Sequence, residues 1–134
     1  MASIFTKIVN GEIPAHKVAE TSEFLAFLDI NPLKEGHVLV IPKKEIDYIF
    51  DIEDELYVSM MIFAKIVAAG IKKAIPCNRI GVAVVGLEVP HTHIHLIPID
   101  KISDMDFGKK KLNPTSEELS ATALKILNAL REDV

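Results

Sequence analysis

The chain has 134 residues, of which 49% are hydrophobic and 25% charged, and its formal net charge is −4. This length and composition predict one globular domain over residues 1–134 with an ample core. The acidic balance excludes long nucleic acid as a partner, since that needs a basic surface. No apolar run approaches the roughly 20 residues that span a bilayer, and no secretion signal opens the chain, so we expect no membrane partner. The lone cysteine, Cys77, excludes an internal disulfide and favours a cytoplasmic location.

The first part of the chain predicts a short helix followed by three strands. Ser3 is the expected N-cap of a helix that runs to Val9 and ends at Asn10-Gly11. Residues 17–20 and 24–29 predict two short strands around a turn. After a loop over residues 31–36, residues 37–42 predict a buried strand because they are rich in β-branched side chains.

The rest of the chain predicts two longer helices around two more strands. Residues 51–75 form the expected main helix, with Asp51 as its cap, and residues 80–85 predict another buried strand. The polar stretch 101–113, including three consecutive lysines, is interpreted as a solvated loop. A capping box at residues 115–118 begins a C-terminal helix. Together these elements predict an α+β fold with an antiparallel sheet of about five strands.

The most informative motif is the alternation of His91, His93 and His95, the histidine row, with apolar residues in the segment 89–98. Alternate side chains of a strand point to one face, so the row is expected on one face and Ile94 and Leu96 on the core face. Successive histidine Cβ atoms would lie roughly 6.5–7 Å apart, from a rise of about 3.3 Å per residue. This spacing suits several imidazoles placed along one bound group.

Three interpretations of the row remain open from the residues alone. A neutral imidazole can attack phosphorus or carbon while its neighbours donate protons or hydrogen bonds. Imidazole nitrogen is also a common ligand for zinc, iron and copper. The third interpretation is a set of polar residues on an exposed sheet face.

The row and three further segments resemble the histidine-triad (HIT) family of nucleotide-binding proteins, in its small phosphoramidase-like branch. The row is followed by apolar residues, as in the family signature, and the other segments are residues 4–14 (IFTKIVNGEIP), 27–32 (FLDINP) and 36–43 (GHVLVIPK). The resemblance covers residues 3–100 in order and spacing. It implies a HIT-like fold, a purine nucleotide as ligand and a homodimer whose sheets join across the interface.

The resemblance also implies roles for individual residues. His93 would be the nucleophile that forms a covalent nucleotidyl-histidine, His95 would hydrogen-bond a phosphate oxygen or the leaving group, and His91 would orient the site. Asp29 would bind the ribose, or in its plainer interpretation cap the turn before Asn31. The remaining substrate-binding candidates are Ile30 against the base, His37 near the phosphate, and the segment of Glu88 and Val89.

Two departures from the family pattern bear on metal and on substrate. Many members bind a structural zinc partly through a Cys-x-x-Cys pair, but Ser3 and Thr6 occupy the matching positions and Glu45 stands where some relatives have a histidine. We therefore expect no structural zinc, and the implied chemistry needs no cofactor. Before the row, Leu87 and Glu88 replace a Gln and a Ser or Thr, and a carboxylate there would repel a phosphate.

These departures leave three classes of function. The first is a nucleotide hydrolase or transferase that cleaves purine nucleoside 5′-phosphoramidates or related compounds, with Glu88 acting as an acid or binding an ammonium of the substrate. The second is a nucleotide-binding module with weak or no turnover. The third is a metalloenzyme, which an extended row serves poorly because its imidazoles do not converge.

Overall fold

The structure, a computed structural model, describes residues 2–132. Five antiparallel strands form one sheet in the order β1-β2-β3-β5-β4. The strands are β1 (Lys17–Glu20), β2 (Phe24–Leu28), β3 (Val38–Pro42), β4 (Arg79–Ala83) and β5 (Ile94–Ile99). The α-helices are α1 (Ile4–Val9), α2 (Asp54–Ala74) and α3 (Ser116–Arg131), and two 3-10 turns cover Ile49–Asp51 and Ile102–Met105. The predicted α+β fold with five strands is confirmed.

Both faces of the central strands are covered, because β2 and β3 are apolar at every position. Helices α2 and α3 pack on one face against residues such as Val40, Ile94 and Leu96. Helix α1 packs on the other face, where Phe5 and Ile8 meet Leu25, Phe27, Leu39 and Ile41. A strand buried on both faces loses the apolar–polar alternation of a half-exposed strand, which agrees with these sequences. His95 points to the α1 face, opposite its neighbours Ile94 and Leu96.

Helix α2 begins three residues later than the sequence predicts. Asp51 does not cap it but ends a 3-10 turn, and Ile52, with extended backbone and 5% exposure, separates that turn from the helix. Glu53 is the N-cap and makes no side-chain cap bond, while Asp54 and Glu55 lie in the first turn. The burial of Ile52 in the core outweighs the local capping preference of Asp51. Of residues 2–132, no helix is long and apolar enough to cross a membrane.

Strand β4 is an edge strand, and the prediction of a buried strand over residues 80–85 is wrong. It ends at Ala83 and pairs only with β5. The side chains of Val82, Val84 and Val85 are 38–55% exposed. The outer side of α2 is also apolar and exposed, at Val58, Met61, Ile62 and Ile66. An apolar run does not reveal whether a strand has neighbours on one side or on both.

The histidine row spans a loop and a strand, because β5 begins only at Ile94. His91 and His93 therefore precede the strand, and only His95 belongs to it. Two bonds from Thr92 fix the path of the chain into β5. Its backbone N–H donates to the carbonyl of Ile46 at 2.7 Å, and its hydroxyl donates to the same oxygen at 2.7 Å. The expected continuous strand from residue 89 is wrong, because these bonds take the backbone out of the sheet.

The stretch 101–113 is mostly exposed, as predicted for a solvated loop, but several bonds tie it to the rest of the molecule. Its 3-10 turn carries Asp104, which is 2% exposed and accepts the backbone N–H groups of Asp100 and Lys101 at 2.9 and 3.2 Å. Further on, the N–H of Leu112 donates to the carbonyl of Pro32 at 2.9 Å. These bonds hold the segment next to the histidine row. The polar composition did not predict these contacts, because they are made by backbone groups and by one buried carboxylate.

Candidate active site

The structure gathers four histidines and two phenylalanines at the α1 face of the sheet. The rings of His93 and His95 are 4.9 Å apart between centroids, and those of His37 and His95 are 5.2 Å apart. Phe5 contacts the ring of His93 at 5.0 Å, and Phe107 contacts that of His95 at 4.8 Å. All four histidines are at most 8% exposed, which excludes the interpretation of the row as an exposed polar face.

The hydrogen bond of His93 fixes which of its nitrogens is free. Its Nδ1 lies 2.8 Å from the carbonyl oxygen of His91. A carbonyl can only accept, so Nδ1 carries the proton and donates it. Nε2 of the neutral ring is then left with a lone pair. A backbone carbonyl is the fixed acceptor that a nucleophilic imidazole needs, and His91 supplies it.

His37 and His95 form a chain of hydrogen bonds with one direction. The backbone N–H of Leu33 donates to Nδ1 of His37 at 3.0 Å, so that nitrogen is unprotonated. The proton of neutral His37 is therefore on Nε2, which donates to Nδ1 of His95 at 2.9 Å. Consequently His95 carries its own proton on Nε2. The site thus places a hydrogen-bond donor, His95 Nε2–H, beside the lone pair of His93.

Burial keeps these rings neutral. It lowers the pKa of His37 to about 3 and that of His95 to about 4, with smaller contributions from the neighbouring histidines and Lys111. Burial also lowers the pKa of His91, against the opposing effects of the Pro42 carbonyl and Glu45. At pH 7 the donor at His95 is therefore a neutral imidazole rather than an imidazolium.

His91 is held at both nitrogens by residues outside the row. Its Nε2 donates to the carbonyl of Pro42 at 2.7 Å, and its Nδ1 accepts from the hydroxyl of Ser3 at 2.8 Å. The Ser3 oxygen also caps α1 by accepting the N–H of Thr6 at 3.0 Å, as the sequence predicts. With both nitrogens bonded, the ring of His91 has no nitrogen free for a ligand, and its carbonyl accepts from the ring of His93.

Glu45 completes this network from the loop after β3. One carboxylate oxygen accepts the N–H of Ser3 at 2.6 Å and the hydroxyl of Thr6 at 2.7 Å. These two bonds lower the pKa of Glu45 to about 2. The positions compared above with a zinc site thus form a hydrogen-bonded cluster of two hydroxyls, a carboxylate and an imidazole. Hydroxyls are poor zinc ligands beside thiolates, so the donor set does not fit a structural zinc.

Asp29 has one carboxylate oxygen in a turn and the other towards the histidines. Oδ1 accepts the N–H of Asn31 at 2.9 Å, whereas Oδ2 is 3.7 Å from Nε2 of His37. Burial raises the pKa of Asp29, and the Asn31 bond and Lys111 oppose the rise. The turn-capping interpretation is therefore correct, and 21% of the side chain remains exposed on the site side.

The other predicted substrate-binding residues lie around the row. Ile30 is 62% exposed and lines a cleft of about 430 Å³ together with Pro14, His16 and Pro114. Glu88 is exposed and lines a second cleft with Asp29. Val89 is half-buried and packs on the cluster around Phe5, and its carbonyl accepts the N–H of His91 at 2.8 Å. Val89 thus supports the row rather than facing the clefts.

Two site residues were missed by sequence reasoning. Phe107 covers the ring of His95, and Lys111 is close enough for its charge to lower the pKa of Asp29, His37 and His95. Both lie in the stretch interpreted as solvated loop. An aromatic residue inside an otherwise polar stretch was the available signal.

The geometry does not favour metal binding by the row. Asp29, His37 and His95 have ligand atoms within 4.8 Å of one another. However, Nε2 of His37 and Nδ1 of His95 already share a proton, which a metal would have to displace. His91 has no free nitrogen, so the three histidines of the row cannot converge on one ion.

Comparisons with known proteins find a matching family model and several relatives. The model of the HIT domain matches residues 10–102. A HIT-like protein of Borreliella burgdorferi is 35% identical over 131 residues, which cover 92% of this chain and 94% of that protein. The adenosine 5′-monophosphoramidase HNT1 of Saccharomyces cerevisiae is 42% identical over 102 residues, covering 72% of this chain and 62% of the yeast protein.

A solved structure shares the fold. A HIT-like protein from Bartonella henselae, described as involved in cell-cycle regulation, superposes with a TM-score of 0.82 at 31% identity, covering 95% of each chain. A buried histidine row at one face of a five-stranded antiparallel sheet defines a histidine-triad protein. The chain belongs to the HIT family.

Proposed function

We propose that the chain is a nucleotide hydrolase or transferase that cleaves purine nucleoside 5′-phosphoramidates or related nucleotidyl compounds through a covalent nucleotidyl-His93. The observation that best supports the proposal is the lone pair on His93 Nε2 beside the donor His95 Nε2–H. The name of the yeast relative, an adenosine 5′-monophosphoramidase, supports the substrate class.

The reaction would proceed in two displacements. His93 Nε2 attacks the α-phosphorus and the bond to the leaving group breaks, while Nδ1 keeps its proton and its bond to the His91 carbonyl. His95 Nε2–H stabilises the charge on a phosphate oxygen or the leaving group. An amine leaving group takes its proton from Glu88 in its protonated form or from solvent. Water then attacks the phosphorus and gives up a proton to solvent, the bond from phosphorus to His93 Nε2 breaks, and the nucleoside monophosphate is released.

The clefts lined by Asp29, Ile30 and Glu88 support positions for the ribose, the base and the leaving group. The partly exposed carboxylate of Asp29 would accept from the ribose hydroxyls, and exposed Ile30 would contact the base. Glu88, at the cleft next to Asp29, would protonate the leaving group or bind an ammonium. The change Glu88→Gln should then lower turnover of amine-linked substrates, and unchanged turnover on every substrate would remove both roles.

The decisive experiment is mass spectrometry of the intact protein after brief mixing with adenosine 5′-phosphoramidate. We expect a transient nucleotidyl adduct on the wild type and none on the variant His93→Ala. An adduct on His93→Ala would place the nucleophile elsewhere. Free nucleotide without any adduct, even under rapid quench, would indicate direct hydrolysis.

A nucleotide-binding module without turnover is the second candidate. It is favoured by Leu87, which is 88% exposed, and by the carboxylate of Glu88 where a hydroxyl donor is expected. In that case wild type and His93→Ala would bind AMP equally and neither would release product. Turnover by the wild type alone would exclude it.

We also propose a homodimer in which a second copy covers the outer side of α2 and the edge of β4. The exposed apolar side chains on both elements and the unpaired strand edge support this arrangement. Sedimentation should give twice the chain mass, and Val84→Lys should shift the protein to monomer. A monomeric wild type at micromolar concentration would contradict it.

A further inference from the structure

The segment 106–113 forms one wall of the candidate site. Phe107 lies edge-on against His95, and the Leu112 N–H bond to Pro32 ties the segment to the loop after Asp29. Asp104 braces its start, with Lys34 and Lys109 at 3.8 and 3.7 Å from one carboxylate oxygen. The segment therefore has a defined position beside the row, and its side chains can act on a bound ligand.

A cleft of about 550 Å³ opens between this segment and the loops that follow β2 and precede β5. Its lining residues are Asp29, Asn31, Glu88, Lys109, Lys111, Leu112 and Asn113. Two carboxylates therefore face the same space as two ammonium groups. A phosphate bound between the ribose candidate Asp29 and the histidine row would meet both carboxylates, and such repulsion needs a cation to offset it.

Lys111 is better placed than Lys109 to be that cation. The ammonium of Lys109 is drawn towards buried Asp104. The ammonium of Lys111 donates to the carbonyl of Phe107 at 3.3 Å, which holds it close to the ring that covers His95. One bond to a neutral carbonyl leaves two further N–H groups and does not neutralise the charge of the ammonium.

The electrostatics of the site point to the same residue. After burial, the charge of Lys111 is among the contributions to the pKa values of Asp29, His37 and His95. These groups border the space between the expected ribose and phosphate positions. Lys111 is therefore positioned towards the phosphate rather than towards the base at Ile30.

We propose that Lys111 binds the phosphate of the nucleotide, in place of the hydroxyl donor that Glu88 displaces. The proposal rests on the proposed function and adds a residue to it. His95 supplies a neutral donor, whereas Lys111 supplies the positive charge that the segment 86–89 lacks. The ligand class is a nucleoside 5′-phosphate or its derivatives, and an unphosphorylated nucleoside should not gain from the lysine.

The test compares AMP with adenosine in chemical-shift titrations of the full chain at constant ionic strength. We expect Lys111→Gln, which keeps an N–H donor but no charge, to weaken AMP binding about tenfold, as for loss of one charge-assisted bond. Adenosine binding should not change, and Lys111→Arg should restore most of the AMP affinity. Lys110→Gln, at the exposed neighbouring position, is the matched control.

Each alternative has its own result. Equal losses for AMP and adenosine would mean that Lys111 only supports the fold of the segment. If Lys111 only neutralised Glu88, Lys111→Gln would not change AMP affinity in a Glu88→Gln background. The proposal instead requires the tenfold loss of AMP affinity to persist in that background. Unchanged AMP affinity in Lys111→Gln would overturn the proposal alone. A wild type that binds no AMP would remove the proposed function as well.

Discussion

The two ends of the histidine row contain the same side chain in different surroundings. At the His91 end, both ring nitrogens are bonded, to Ser3 and to Pro42, and Glu45 supports the serine. At the His95 end, one nitrogen accepts from His37 and the other keeps a proton for the site. The partners of each imidazole, rather than its place in the motif, therefore separate a supporting role from a chemical one.

This difference predicts that substitutions at the two ends affect turnover and stability differently. At neutral pH, changes at the His95 end should affect turnover more than stability. Changes at the His91 end should affect stability with little change in turnover.

Replacing the donor at the His95 end should have the largest effect. In His95→Asn the amide oxygen can still accept from His37, but nothing replaces Nε2–H. We expect kcat/KM for adenosine 5′-phosphoramidate to fall about 10²-fold, as when one donor to a developing charge is removed. Steady-state assays with a parallel urea melt would check this. A comparable loss of stability, or activity within a few-fold of wild type, would contradict the assignment.

The His37–His95 pair should make the fold sensitive to mild acid. Their folded pKa values, about 3 and about 4, lie below the ordinary value of 6.5, so the unfolded chain takes up protons first as the pH falls. Their stabilisation is therefore complete above pH 6.5 and is lost towards pH 4 for His95 and towards pH 3 for His37. The slope is about 1.4 kcal/mol per pH unit for each such histidine.

Removing one titrating ring tests that slope. His37→Asn keeps an acceptor for the Leu33 amide, and its unfolding free energy should fall less steeply than that of the wild type between pH 6.5 and 5. Urea unfolding at several pH values measures the difference. Parallel curves for the two proteins would show that His37 does not resist protonation in the fold.

At the His91 end, Ser3→Ala should reduce stability by about 1–2 kcal/mol, the usual range for a lost N-cap. The buried Nδ1 of His91 would also lose its donor, which favours the upper part of that range. Turnover should remain within a few-fold of wild type. Ser3→Thr, which keeps the hydroxyl, is the control, and a large loss of kcat with intact stability would assign Ser3 to the chemistry.

Glu45→Gln should have the smallest effect, because the carboxylate is exposed and water can replace part of its bonding. Its pKa of about 2 is below the ordinary 4.5, so its contribution is present above pH 4.5 and is lost as the pH falls towards 2. The variant should therefore lose less stability than Ser3→Ala at pH 7. It should also show a flatter stability curve between pH 4.5 and 2, measured by thermal melts.

Local signals in the sequence predicted most of the fold. Ser3 and the Thr115 capping box begin helices where expected, and the continuous apolar runs of β2 and β3 are buried on both faces. The errors arose where distant contacts decide the outcome. Burial of Ile52 delays α2, and β4 lies at an edge that its apolar sequence does not reveal.

The candidate site was only partly predictable. The motif and the resemblance predicted Asp29, His37 and the row as site residues. The structure brings Asp29, His37 and His95 together. Phe107 and Lys111 were missed because backbone bonds and a buried carboxylate position their segment. The sequence also did not show which carbonyl or amide bonds to each ring, and the tautomer of each ring depends on that partner.

The bond from the Leu33 amide to His37 has a consequence for mutational tolerance. The proton arrangement of the site begins at a backbone N–H, so the side chain at position 33 is free to vary among apolar residues that fill the same space. Proline is the exception, because it has no N–H to donate. A comparison of side chains alone would therefore not identify position 33 as part of the site. Leu33→Pro would leave His37 free to reverse its tautomer, whereas Leu33→Met would not.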